Sequence, residues 1–258
     1  MKRSVKSLIG YTISATDGEI GKVKDFYFDD ETWTIRYLIL ETGDWLSGRK
    51  VLISSQALLP TNWENGTFPI NLTKKQIENS PDINTDMPVS RQQETQLHEY
   101  YPWTNYWVSG MGIAGMGTTG MIMPMRESVG EELSEKSHKA DKKPLGDHHL
   151  RSAKTLIDYK VKAKDGDIGV VEDFIIDDIT WGMIFLVVDT GDWFPGKKVL
   201  LMPKWIKEIN WDVSRIDVNL TEDKVKNSPE YYPHQLINEV YEKSFYDYYG
   251  DRLYHAKQ

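Results

Sequence analysis

The sequence predicts a mainly β protein: two small β-barrels, each followed by short helices, joined by a linker. Three observations carry that reading. Segments rich in β-branched and aromatic residues alternate with turn residues at about 8–12 residue spacing, the pattern of small barrels and sandwiches. The whole pattern then returns at one constant offset, so that Trp33 reappears as Trp181 and Lys50-Val51-Leu52 as Lys198-Val199-Leu200. Between the two copies, 108–152 first interleaves Gly and Met and then turns charged, with no sustained apolar periodicity. The expected organisation is therefore 1–107, a linker over 108–152, and 153–258.

Residues 8–14 read as a first strand, and Thr16-Asp17-Gly18-Glu19 as a tight turn in which Gly18 supplies positive φ. Residues 23–28 alternate as a second strand, and Asp29-Asp30-Glu31-Thr32 forms the next turn. Residues 33–42 read as the longest strand, with Trp33, Ile35, Tyr37 and Ile39 on one face and Leu38 and Leu40 on the other. Apolar residues on both faces predict a central strand covered on both sides. A loop at 43–48 leads to strands at 50–53 and 68–72. Helical signals come last in each copy. Thr73-Lys74-Lys75-Gln76 has the form of a capping box, and Glu222 and Asp223 favour the equivalent helix start in copy two. Pro81 and Pro229 follow these short helices and stop them. Further helices are expected over 90–101 and 236–249.

Composition excludes several classes. The chain of 258 residues holds no cysteine, which removes disulfides, thiolate metal sites and cysteine nucleophiles. A net charge of −8 argues against direct nucleic-acid binding, and no apolar run is long enough to span a membrane. With 9 Trp, 14 Tyr and 7 Phe it has ample material for folded cores. A cytoplasmic protein is expected.

The ordered set from Gly21 through Asp25-Phe26 to Asp29, then Trp33-x-Ile35-x-Tyr37-Leu38, then Thr42-Gly43-x-Trp45-x-x-Gly48-x-Lys50-Val51-Leu52, resembles the PRC-barrel family. That family includes the cytoplasmic barrel of the photosynthetic reaction-centre H subunit and the C-terminal barrel of the ribosome maturation factor. The tail from Leu72-Thr73 through Asn79-Ser80-Pro81 to Tyr100-Tyr101 is similar to that of bacterial stand-alone members. The resemblance covers both copies and excludes the linker. It implies a small barrel used for assembly and protein contacts, without shared catalytic residues, in the setting of bioenergetic or stress-response complexes.

Candidate chemistry is sparse. Asp25, Asp29, Asp30 and Asp44 return as Asp173, Asp177, Asp178 and Asp192. Clustered oxygens suit a hard cation, but strand-end aspartates ordinarily bond their own turn, and turn chemistry is the expectation. Six histidines show no metal-ligand spacing and none returns at the offset. No cofactor, metal or catalytic residue is assigned. The linker methionines suit an adaptable contact surface better than a copper site. Trp33 and Trp181 are expected in the cores. The aromatic loop residues remain as the candidate interaction set: Trp45 and Leu46, their counterparts Trp193 and Phe194, then Tyr100, Tyr101, Trp103 and Trp107, and Tyr248 and Tyr249.

The function expected is a non-enzymatic interaction or scaffold protein, its two barrels packed as an intramolecular pseudo-dimer, with an unidentified protein partner or further self-association. Two alternatives remain: a ribosome or RNA-processing assembly factor acting through protein contacts, and a metal-binding enzyme built on the paired aspartates.

Overall fold

A computed structural model describes residues 1–46, 49–61, 63–82, 89–107, 149–191 and 196–250. It contains two β-barrels of the same plan, the second with one more strand. In the first copy, β1 (Lys2–Ser4) and the one-turn helix α1 (Val5–Leu8) precede strands β2 (Thr12–Ala15), β3 (Gly18–Asp29), β4 (Thr34–Glu41), β5 (Lys50–Ser54) and β6 (Thr67–Pro69). Helices α2 (Lys74–Glu78) and α3 (Arg91–Tyr100) close it. The second copy repeats the plan with β7 (Leu150–Ser152), α4 (Ala153–Leu156), β8 (Lys160–Lys162), β9 (Asp167–Asp177), β10 (Met183–Asp189), β11 (Lys198–Leu201), β12 (Ile206–Asn210) and β13 (Arg215–Val218). Helices α5 (Glu222–Lys226) and α6 (Glu239–Tyr249) follow.

The first sheet runs β5-β4-β3-β2-β6 and the second β11-β10-β9-β8-β13-β12. Each sheet has one parallel pair, Ile13 opposite Phe68 and Val161 opposite Ile216. In the first barrel the chain after β5 also bends back to bridge Leu58 with Ile70. The long strand β3 bends through register shifts against β4 between Val23 and Asp25 and between Tyr27 and Phe28, the usual device for curving a strand around a small core. One glycine per copy is obligatory at the tightest approach. A Cβ on Gly21 would lie 2.2 Å from the Glu41 carbonyl oxygen, and one on Gly169 2.0 Å from that of Asp189. Asp17 and Asp165, in the turns before β3 and β9, accept the N–H of Lys74 and of Glu222 at 2.8 Å and so fix the starts of α2 and α5. The expected Thr73–Gln76 capping box is present, and α3 opens with a second one, Ser90 with Gln93.

The two barrels exchange their first strands. β1 of the first copy pairs with β9 of the second, Arg3 opposite Ile176, while β7 pairs with β3, Arg151 opposite Phe28. Residues 150–152, counted with the linker on composition, are thus a strand of the first barrel's sheet. One apolar cluster runs through both barrels, from Leu8, Phe26 and Phe28 to Leu156, Phe174 and Ile176. A smaller one, around Phe185 and Phe245, lies under α6.

Three local expectations are corrected. Residues 8–14 are not one strand: Ser4 caps the helical turn α1, Gly10 takes φ 89°, and β2 begins only at Thr12. The longest strand is β3, not the segment from Trp33. That residue sits at φ 52°, outside β4, and Trp181 matches it at 59°. The last helix starts at Glu239, capped by Asn238, rather than at 236. The linker residues 108–148, including its methionines, lie outside the described residues.

Candidate functional site: the joint between the barrels

The repeated carboxylates divide by task. Asp25 and Asp173 do not serve their own turns. The Asp25 carboxylate accepts the Ser152 hydroxyl and the N–H groups of Lys154 (3.1 Å) and Phe26 (2.7 Å). Asp173 accepts the Ser4 hydroxyl and the N–H groups of Lys6 (2.9 Å) and Phe174 (2.7 Å). Each therefore closes the first turn of the other copy's helix, α4 or α1, where backbone N–H groups lack helical partners. Burial pushes both carboxyls above the ordinary aspartate value, and the hydrogen bonds from serine and backbone offset part of that rise.

Asp30 and Asp178 also reach across. Arg151 pairs with Asp30 at 3.0 Å and Arg3 with Asp178 at 2.7 Å, all four side chains mostly covered. Burial raises the Asp30 carboxyl despite Arg151. The same arginines lie over indole rings of their own copies, Arg3 3.7 Å from the Trp63 ring and Arg151 4.3 Å from Trp211. Among the described residues of this set, the pair Asp29 and Asp177 behaves as turn chemistry predicts. Asp29 accepts Glu31 and Thr32 N–H groups, and Asp177 those of Ile179 and Thr180. Burial would raise Asp177, but those bonds outweigh it and hold the carboxyl below its ordinary value. The side chains of Asp44 and Asp192 lie outside the described residues. Among the described residues no three acidic or histidine groups gather as a metal site.

Trp33 and Trp181 form the centre of the joint. Their positive φ turns each carbonyl toward the other barrel, so that Ile35 N–H donates to Trp181 O at 2.9 Å and Met183 N–H to Trp33 O at 2.7 Å. Such a conformation is strained for a bulky residue. Trp181 packs on Phe26 and Phe68 of the first barrel, with ring centroids 6.3 and 5.9 Å apart, while Trp33 stacks on Phe28. The core these tryptophans enter is the shared one.

The aromatic candidates lie elsewhere and pack mostly on their own barrels. Leu46 is half-buried against the first core. Trp45 has its backbone in the short turn Gly43–Leu46, its side chain outside the described residues, as are Trp193 and Phe194 altogether. Tyr101 is buried and stacks on Trp103 at 4.3 Å. Trp107 meets His98 at 4.8 Å. Tyr100 is 38% exposed and donates to Gln76 O. Tyr248 donates to Lys224 O, and Tyr249 lies 4.2 Å from Trp205. Large apolar exposure is found at Tyr232 (49%) and Leu236 (81%) before α6 and at Val240 (77%) in its first turn, and also at Ile179 (81%) and Val213 (58%).

A polar cluster under α3 went unread in the sequence. Glu94 accepts the hydroxyls of Tyr106 (2.5 Å) and Tyr37 (3.1 Å) and pairs with Arg91 at 2.8 Å, while Tyr37 also meets His98 Nε2 at 2.7 Å. Burial raises Glu94 and Tyr37 and lowers His98. The second barrel has Phe185 and Tyr246 in place of Tyr37 and His98, so its helix rests on an apolar cluster. Glu242, the counterpart of Glu94, instead pairs with Lys2 of the first copy at 2.7 Å. The departure from the repeat at Tyr37 and His98 was the available signal.

No helix among the described residues is long and apolar enough to cross a membrane. No curated protein matches the chain. Residues 2–77, from the exchanged strand β1 to α2, match the family model of the PRC-barrel domain, and the first copy is such a domain.

Proposed function

We propose that this chain is a non-enzymatic protein-interaction scaffold of the cytoplasm, in which the units 1–107 and 153–258 act as one rigid two-barrel body. The observation that carries this reading is the engagement of Asp25, Asp30, Asp173 and Asp178 across the joint. The repeated side chains best able to do chemistry hold the barrels together instead. The PRC-barrel domain is a protein-interaction module, which agrees with that use. A rigid body with apolar side chains exposed around the start of α6 suits the docking of a protein partner. Leu236, Val240 and Tyr232 are those side chains.

A photo-reactive amino acid placed at Leu236 or Val240 in the full chain tests the reading in cells. The expected result is one discrete crosslinked protein at these positions and none from the exposed Glu64 on the other copy. Equal, diffuse crosslinking at all positions, or none at any, would count against it.

A further inference from the structure

A cavity of about 400 Å³ opens at the joint, where α1 and α4 face each other. This is within the range of small-molecule sites, about 300–1,000 Å³. Its lining is mostly apolar, with Val5, Ile9, Ala153, Ile157 and Phe174 contributed by both copies. The pseudo-symmetry of the repeat would make its two ends alike, but the copies differ there. Lys24 of the first copy corresponds to Glu172 of the second, and Gly10 to Asp158.

The joint fixes which charges share an end. Asp25 accepts the Lys154 N–H, so Lys24 and Lys154 stand together. Asp173 accepts the Lys6 N–H, which places Lys6 with Glu172, 4.0 Å apart. Asp158 follows α4 with its N–H bonded to Val171 O, on the same side as Glu172. Both buried aspartates already have their oxygens engaged. One end thus carries Lys24 and Lys154, with Lys24 paired to the half-exposed Glu41, and the other Lys6 with Asp158 and Glu172, the glutamate already paired to Lys198 from outside the cavity. The cavity is apolar in the middle and electrically polar along its length.

We propose that this cavity binds an amphiphilic carboxylate, its charged head at the Lys24–Lys154 end and its alkyl body along Ile9, Ile157 and Phe174. Two ammonium groups without an arginine fork suit a singly charged head rather than a bidentate phosphate clamp. Leu236 lines a neighbouring groove that shares Lys6, Glu172 and Asp173 with this cavity, but the head-group end at Lys24 and Lys154 lies outside that groove, and the proposal does not rest on the scaffold reading.

The test is calorimetric titration of the full chain with decanoate below its micelle concentration, against decyltrimethylammonium as the tail-matched cation. The expected result is one decanoate per chain, bound about fivefold tighter than the cation, as one half-exposed charge contact implies. Lys24→Glu, which gives this end the second copy's residue, should abolish that preference. Ile9→Trp should weaken both ligands by filling the cavity. Circular dichroism and melting confirm that both variants fold. Equal affinity for the two heads, an unchanged preference in Lys24→Glu, or association only with anionic phospholipid vesicles would overturn the proposal.

Discussion

Asp173 in the second barrel closes the first turn of a helix in the first, its carboxylate accepting the Lys6 N–H at 2.9 Å. Replacing it with Ala strands that N–H and the Ser4 hydroxyl at a mostly covered site, which costs about 1–3 kcal/mol. Asp25→Ala should cost a similar amount through Lys154 and Ser152. Urea unfolding of both variants measures this. A loss below about 0.5 kcal/mol at both sites would contradict a joint held by these bonds.

The same two carboxyls make a pH signature. Burial raises them above 3.8, so between that value and their folded values the native chain holds protons that the unfolded chain has released. Their contribution is therefore fully present below about pH 4 and is lost as pH rises through the folded values. In Asp25→Asn one of these titrations is absent. The stability difference between wild type and variant, followed from pH 3.5 to 7, should shift in the variant's favour with rising pH. A flat difference would show that Asp25 is not raised.

His98 has the opposite sign. Burial lowers it below 6.5, beside Tyr37, Trp107 and the charge of Arg91. The unfolded chain gains a proton first as pH falls, so this contribution is present above about pH 6.5 and lost below it. Thermal melts from pH 7 to 5.5 should show a smaller fall for His98→Tyr, the residue that the second barrel has at Tyr246, than for wild type.

Arg151 and Asp30 can be exchanged as a pair. Arg151→Asp alone places two acids together and should destabilise by about 2 kcal/mol. Adding Asp30→Arg should recover part of it, with a coupling energy of about 1 kcal/mol in a double-mutant cycle. Additive losses would mean that the two side chains do not interact in solution.

Gly169→Ala tests the tight approach of β9 to the end of β10. The new Cβ would sit 2.0 Å from the Asp189 oxygen at a backbone φ of 156°, so one strand must move. The expected cost is above about 3 kcal/mol, against about 1–2 kcal/mol for Gly43→Ala, which meets no neighbour and carries positive-φ strain alone. Chemical denaturation of the two variants compares them directly.

Most barrel strands, their turns and the α2 capping box were legible because alternation, glycine and capping residues act over a few positions. The helix α1 was not. Its closing carboxylate, Asp173, lies 167 residues away from Lys6 and cannot be read from 5–8. The same distance hid the tasks of Asp25, Asp30 and Asp178, whose turn-like setting suggested local bonds, a reading that holds for Asp29 and Asp177. Trp33 reads as a strand residue by type, but its φ is imposed by the partner barrel, through the bond from Met183 to its carbonyl. The repeat itself announced a pairing, and the arginines that clasp it returned at the same offset, Arg3 and Arg151.

The exchange of first strands also orders events in time. Arg3 must wait for Asp178, 175 residues further along the chain. At synthesis rates of about 5–20 residues per second this is a delay of roughly 10–35 s. The first barrel lacks β7 along β3 until residue 152 has been made, and its own β1 has no place until β9 follows. Such long-range pairing makes for slow folding and leaves an open strand edge on the nascent chain. The molecule is therefore most exposed to mispairing with its neighbours on the ribosome before its second half has emerged.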